Sequence, residues 1–260
     1  MNTSRSIIPV AAIAALLLAG CSSTDTVAES DGGIPLVEEG TLTLCTNPPY
    51  EPFEFERDGE VVGLDIDIVA EVAADLELEL KVVSTPFEGI QSGAALSAGQ
   101  CDIVASGITI TDERALNIDF SEPYFDADQG LLVPAGSDLS SVESLVGKRI
   151  SVMVATTGAT WAQENGLTST EYDDLGTQIQ ALEAGQVDAV INDVASLLPY
   201  VEQGFEIANN FATGEVYGLG VKKGSTELLD AVNATLTRIK DDGTYDTIYA
   251  EWIGITPSEG

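Results

Sequence analysis

From Leu42 to Trp252 the chain alternates short apolar runs with longer amphipathic stretches, a rhythm that fits strand–helix–strand units on parallel sheets and little else. Leu42 to Cys45 reads as a strand and leads into the loop Thr46-Asn47-Pro48-Pro49-Tyr50. Phe53 to Phe55 and Val61-Val62 flank Asp58-Gly59, which predicts a small hairpin. Asp65 to Leu76 carries Ile66, Val69, Val72, Ala73 and Leu76 at helical spacing. Leu78 to Val83 is then a strand, Phe87 to Ser97 a helix and Asp102 to Ser106 a strand. Ile108 to Thr111 runs into a short helix near Asp112.

A second unit of the same kind follows the extended stretch Phe125 to Pro134. Its predicted elements are a helix at Val142 to Leu145, a strand at Ile150 to Val154 and helices at Thr157 to Glu164 and Gln178 to Ala184. A strand at Ala189 to Ile191 and a helix at Val194 to Glu202 complete it. Val216 to Val221 is extended again, and Glu227 to Trp252 reads as two helical pieces separated at Asp242-Gly243. Two α/β units joined by two extended crossings predict a bilobal α/β protein. It has two mixed, mostly parallel sheets flanked by helices, a two-strand hinge, and a ligand cleft at the C-terminal ends of the strands. The first lobe takes residues 40–126 and 219–260, and the second takes 127–218.

Charge narrows the partners. Ten Lys and Arg face 43 Asp and Glu, a formal net charge of −33, so nucleic acid would be repelled and no basic stripe offers an exception. The acid is spread along the chain and suits a hydrated, self-repelling surface. The chain has no His, which removes the usual general base and the commonest metal ligand. No metal site or cofactor is expected. Met1 to Ser6 carries the single cation Arg5, and Ile7 to Leu18 is nearly all apolar, too short for a stable span. Residues 1–20 therefore read as a signal peptide. Residues 21–39, rich in Ser, Asp, Glu and Gly, read as a flexible tether. An exported chain lives where disulfides persist, and Cys45 and Cys101 each sit at a predicted strand. A bridge between neighbouring strands and two buried free thiols both remain open.

Several strings occur in order and at consistent spacing. They are Tyr50-Glu51-Pro52-Phe53-Glu54-Phe55, Gly63-Leu64-Asp65-Ile66-Asp67, Gly107 through Arg114, Ile118 through Tyr124, and Gly243-Thr244-Tyr245 through Tyr249 and Trp252. Together they resemble the bacterial extracellular solute-binding protein family 3, over nearly everything from Gly40 to Gly254. The resemblance implies the type II periplasmic-binding fold and an extracytoplasmic, lipid-anchored binder that delivers a free amino acid to an ABC permease. Leu18-Ala19-Gly20-Cys21 likewise resembles the bacterial lipobox, which implies lipid attachment at Cys21.

The proposed chemistry also follows from the residues. A zwitterionic amino acid needs a cation and donors for its carboxylate, and an anion and acceptors for its ammonium. Arg114 is the sole Lys or Arg between Lys81 and Lys148, and a guanidinium grips a carboxylate with two parallel hydrogen bonds. The alternative is a surface Arg paired with Asp112 or Glu113. By resemblance Arg114 holds the α-carboxylate, Gly107 and Thr109 add backbone and hydroxyl contacts, and Asp193 accepts the α-ammonium. Asp193 could instead cap the helix after it. Thr156 and Thr157 open a helix whose N-terminal N–H groups suit an anion, or they are plain caps. The resembling family usually has Gly where Ala155 stands, so the backbone there is expected to differ slightly. Tyr50 and Phe87 match the aromatic walls of the pocket. Asn47 stands where relatives binding glutamine or basic amino acids commonly carry Asp; it offers an amide but no charge. Glu51 supplies a charge if it faces the pocket, and Met153 and Val154 are apolar. A polar neutral, glutamine-like or broad specificity is expected.

Two other classes compete. One is an enzyme on this fold, of the kind that dehydrates cyclohexadienyl substrates; no His, metal cluster or nucleophile motif supports it. The other is a sensory binding domain, against which no later membrane span or signalling domain is read.

Overall fold

The structure, a computed structural model, describes residues 28–29, 33–201 and 203–254. The signal peptide, Cys21 and most of the tether lie outside the described residues.

The first half contains β1 (Ala28–Glu29), β2 (Pro35–Leu36), β3 (Thr41–Thr46), the hairpin β4 (Phe55–Arg57) and β5 (Glu60–Val62), then α1 (Leu64–Asp75) and β6 (Glu79–Ser84). Asp58 and Gly59 both take positive φ, 57° and 87°, as the two-residue hairpin turn requires. The helix expected over Phe87 to Ser97 is two, α2 (Phe87–Gln91) and α3 (Ala94–Ser97), because Gly93 turns left-handed at φ 75°. β7 (Ile103–Val104), a 3-10 turn at Arg114–Leu116 and β8 (Ile118–Phe120) follow. β9 (Phe125–Asp126) then leaves for the second half. That half holds β10 (Gln129–Pro134), α4 (Val142–Leu145), β11 (Ile150–Met153), α5 (Thr157–Glu164), β12 (Ser169–Tyr172) and α6 (Leu175–Glu183). β13 (Ala189–Asp193), α7 (Val194–Val201) and β14 (Phe205–Phe211) complete it. β15 (Val216–Tyr217) returns the chain to β16 (Gly220–Lys222), α8 (Thr226–Asp242) and α9 (Thr244–Ile253).

Each half is built on one five-stranded sheet, ordered β6-β3-β7-β16-β8 in the first and β12-β11-β13-β10-β14 in the second. In each, four strands run the same way and one runs against them. The reversed strand is β16 in the first sheet and β10 in the second. Each follows directly on a crossing segment, β10 after β9 and β16 after β15, and strand order and direction match in the two sheets, so the two halves share one topology. Between them, β9 and β15 pair antiparallel, with Val216 opposite Asp126 and Tyr217 opposite Phe125. Phe53 packs edge-on against both Phe125 and Tyr217, at 4.9 and 5.1 Å between ring centroids, which anchors the crossing to the first half.

Helices bury the faces their spacing dictates. α8 turns Leu228, Val232, Thr235, Leu236 and Ile239 inward, with Arg238 outside bonded to Glu71 and Asp75 of α1. β12 and β14 were not read from the sequence. Both are edge strands whose residues stay largely half-exposed: β12 carries one apolar residue, Tyr172, and in β14 Asn209 interrupts the alternation of Phe205, Ile207 and Phe211. Cys45 and Cys101 form a disulfide, with 5.7 Å between Cα atoms, that ties β3 to the residues just before its neighbour β7. Two buried free thiols are therefore ruled out for the described fold.

Candidate functional site

The loop after β7 supplies one wall of the cleft. Gly107 has φ +49°, and a Cβ there would lie 2.6 Å from a ring carbon of Tyr50, so the Tyr50 ring rests against bare backbone. The Gly107 N–H donates to Asp65 Oδ2 at 2.8 Å; Asp65 Oδ1 also accepts the Tyr124 hydroxyl at 2.6 Å. Gly107 therefore has its carbonyl, and not its N–H, left to offer the cleft. Thr109 is buried, and its hydroxyl lies 3.5 Å from that of Thr157 across the cleft. Asn47 and Phe87 border the same space.

Arg114 is 6% exposed and forms no ion pair with Asp112 or Glu113, which overturns the surface alternative. Its Nη1 donates to the Thr109 carbonyl at 2.9 Å and its Nη2 reaches across to the Ala155 carbonyl at 3.1 Å. The guanidinium carbon lies 5.4 Å from the Phe87 ring centroid, a cation–π geometry. Burial lowers the Arg114 pKa, and the negative charges of Asp193 and Glu215 oppose that shift.

The second sheet supplies the facing wall. Ala155 keeps the left-handed backbone at φ 61° despite its Cβ, and so aims its carbonyl at Arg114. Thr156 is the α5 N-cap: its hydroxyl accepts from Ala159 N at 3.2 Å and donates to the Met153 carbonyl at 2.7 Å. The capping alternative holds for Thr156, and it is the Thr157 hydroxyl, 3.5 Å from that of Thr109, that meets the opposite wall. Thr157 and Gly158, the first residues of α5, line the cavity, and the N–H groups of a helix's first turn have no acceptor within the helix.

Asp193 closes β13 and does not cap α7. Its Oδ2 accepts the Tyr50 hydroxyl at 2.7 Å and also the Tyr217 hydroxyl, while its Oδ1 accepts Gln129 Nε2. Burial pushes its pKa up to about 6; the Tyr217 and Tyr50 hydroxyls lower it and the Glu215 charge raises it. Burial likewise pushes the Tyr50 and Tyr217 hydroxyls well above the usual phenol range, so both stay protonated donors.

All nine residues singled out from the sequence, Asn47, Tyr50, Phe87, Gly107, Thr109, Arg114, Thr156, Thr157 and Asp193, line one cavity. Its free volume is about 20 Å³, room for little more than one water molecule, because the walls touch. An amino acid enters only if they part. Met153 lines the cavity; Val154 does not, and Glu51 is exposed outside it. Sequence reasoning missed Ser106, Gln129, Gly158 and Asn192 in the lining, and Tyr217 and Glu215 behind it. Ser106, Gly158 and Asn192 sit beside residues already chosen and Tyr217 lies on a crossing strand, whereas Gln129 and Glu215 carried no positional signal.

The profile of the bacterial extracellular solute-binding proteins, family 3, matches residues 42–255. The chain is 34% identical to the ABC transporter glutamine-binding protein GlnH of Bacillus subtilis over 209 residues, covering 77% of this chain and 76% of GlnH. A solved ancestral arginine-binding protein bound to glutamine superposes with a TM-score of 0.79 at 38% identity, covering 84% of this chain and 99% of that one. The ancestral amino acid-binding protein AncCDT-1, a precursor of cyclohexadienyl dehydratase, superposes at 0.78 with 33% identity, covering 82% and 96%.

Proposed function

The chain belongs to the bacterial extracellular solute-binding proteins, family 3, and we propose that it captures a free amino acid outside the cytoplasm and hands it to an ABC importer. It acts as a binder and not as an enzyme. Residues 1–20 direct export, Cys21 carries the lipid and residues 21–39 tether the folded part to the membrane. The first lobe comprises residues 40–126 and 219–260, the second 127–218, and β9 with β15 is the hinge.

One observation carries the reading. A buried guanidinium from the first sheet and a buried carboxylate from the second border the same cavity, the charge complement of an amino-acid backbone. Arg114, the Thr109 hydroxyl and the α5 N-terminus with Thr157 take the α-carboxylate. Asp193, the Gly107 carbonyl and the Thr109 hydroxyl take the ammonium. Tyr50 and Phe87 wall the side chain. Because the binding groups come from both sheets, ligand favours the closed arrangement, the form a permease can recognise. Asn47 Oδ1 is buried without a hydrogen-bond partner and is an acceptor for an N–H on the ligand side chain. Asp193 is the one carboxylate in the lining, and with its charge assigned to the ammonium none is left there for a cationic side chain, which supports a glutamine-like, polar neutral preference over a cation.

A thermal-shift screen of the full chain against the proteinogenic amino acids tests this, since a ligand that binds only the native state raises the unfolding midpoint. A rise with polar neutral amino acids, lost in Arg114→Ala, is the expected result. No rise with any amino acid overturns the reading.

A further inference from the structure

Gln129 begins β10, the strand by which the chain enters the second sheet, and is 1% exposed. Its side-chain nitrogen is a donor shared among acceptors: it bonds Asp193 Oδ1, lies 2.9 Å from Glu215 Oε2 and 3.4 Å from Thr157 Oγ1. An amide nitrogen has two hydrogens, and the two carboxylates are the stronger acceptors. Two acids that share one neutral donor are held apart and oriented by it; without it the Glu215 charge would face Asp193 with no donor between them and make its ionisation harder. Gln129 Oε1 points elsewhere, toward Gly158, where a Cβ would come within 2.8 Å of it. That space is free because residue 158 has no side chain.

We propose that Gln129 is the positioning residue of the ammonium site, holding the Asp193 carboxylate charged and aimed by bridging it to Glu215, and that Gly158 is glycine to admit the Gln129 amide. The inference rests on the reading of Asp193 as the ammonium acceptor. Oδ1 stays on Gln129 throughout, and Oδ2 is the oxygen that turns from the tyrosines to the ligand. The groups facing Asp193 are the Tyr50 hydroxyl from the first sheet's loop, Tyr217 and Glu215 at the crossing, and Asn192 and Ser196 beside it; the Arg114 charge acts on it from the facing wall. Among these, Gln129 is the one neutral side chain that donates to both acids.

The test uses the full chain and the variants Gln129→Leu and Gly158→Ser, the second displacing the amide without replacing Gln129. The Asp193 carboxyl is titrated by carbon-13 NMR without ligand, and calorimetry at pH 6 measures L-glutamine and glutaramate, the same molecule without its α-ammonium. In Gln129→Leu the Asp193 titration moves to higher pH, and adding Glu215→Gln brings part of it back. L-glutamine binding falls about tenfold, the worth of a hydrogen bond to a charged group, while glutaramate binding stays within about twofold. Gly158→Ser moves both readouts in the same direction. An Asp193 titration that stays where it was, or an equal loss for both ligands, overturns the proposal. A wild-type chain that ignores L-glutamine instead counts against the side-chain preference above, and the Asp193 titration still decides the role of Gln129.

Discussion

The Tyr50 hydroxyl crosses the cleft to lie 2.7 Å from Asp193 Oδ2 and 2.8 Å from Asn192 Oδ1, on the oxygen proposed to take the ligand's ammonium. In the proposed site Tyr50 thus has two roles in conflict: its ring walls the ligand side chain, and its hydroxyl competes for the acid. Tyr50→Phe keeps the ring and removes the competitor. One hydrogen bond is worth about 1 kcal/mol, so the variant should bind its amino acid roughly fivefold more tightly. Calorimetry on wild type and variant measures this. Weaker binding by Tyr50→Phe would mean that the hydroxyl serves the ligand.

Arg114 has already left water, and the carbonyls of Thr109 and Ala155 hold it in place. A carboxylate therefore meets an oriented, desolvated cation. Arg114→Ala should cost on the order of 2–5 kcal/mol of binding, roughly thirty-fold to several thousand-fold in affinity. Arg114→Lys should recover only part of it, since an ammonium lacks the planar fork and cannot reach both carbonyls while engaging both oxygens of a carboxylate. Full recovery by Lys would show that charge alone suffices at this position.

The fold was legible wherever burial imposed a period. α1, α8 and α9 were read closely because one face of each is apolar, and the α8/α9 break falls at Gly243, where φ is 82°. β12 and β14 escaped because edge strands keep water on much of their surface. The chosen site residues share a cavity because they sit in loops at the C-terminal ends of strands, which the topology turns toward one cleft. Gln129, Glu215 and Tyr217 escaped because their importance is pairwise. Gln129 and Glu215 are 86 residues apart and mean something only once the hinge brings them together. Asp65 entered the sequence reading only as the start of a helix and within a family string, yet it is fully buried beneath Gly107.

Binding should depend on pH near 6 although the chain has no histidine. Asp193 must be ionised to take an ammonium, and its pKa stands at about 6. Affinity should therefore climb as pH rises through about 6 and level off above it, with a proton released on binding in that range. Asp65, also at about 6 and bonded to Gly107 N–H, is the group that must be separated from it. Calorimetry across pH 4.5 to 8 in buffers of different ionisation enthalpy measures both affinity and proton release. Asp65→Asn should keep the dependence and Asp193→Asn should remove it; the reverse pattern would move the switch from the ammonium site to the loop beneath it.

The same two acids set an unusual direction for stability. A carboxyl whose folded pKa is raised binds more protons folded than unfolded, so stability falls as pH rises from its ordinary value to its folded value and is flat above. For Asp65 and Asp193 that window runs from the ordinary carboxyl value of 3.8 up to about 6. Glu54, buried against Asp65 and bonded to Ser106, acts in the same sense, its pKa raised well above the ordinary value by burial and the Asp65 charge. Asp119 and Asp188, held low by Lys223 and Arg149, work the other way, but their contribution is lost only as pH falls below the ordinary carboxylate range. Self-repulsion among 43 acids and ten bases also eases on acidification. The unliganded chain should thus unfold at a higher temperature at pH 5 than at pH 7.5, and thermal unfolding monitored by circular dichroism checks it. Asp65→Asn combined with Asp193→Asn should shrink the difference, because two of the groups that take up protons on folding are gone. A midpoint that falls on acidification in wild type would mean these acids are ionised in the folded chain without penalty, and that the cleft is wetter than its closed geometry implies.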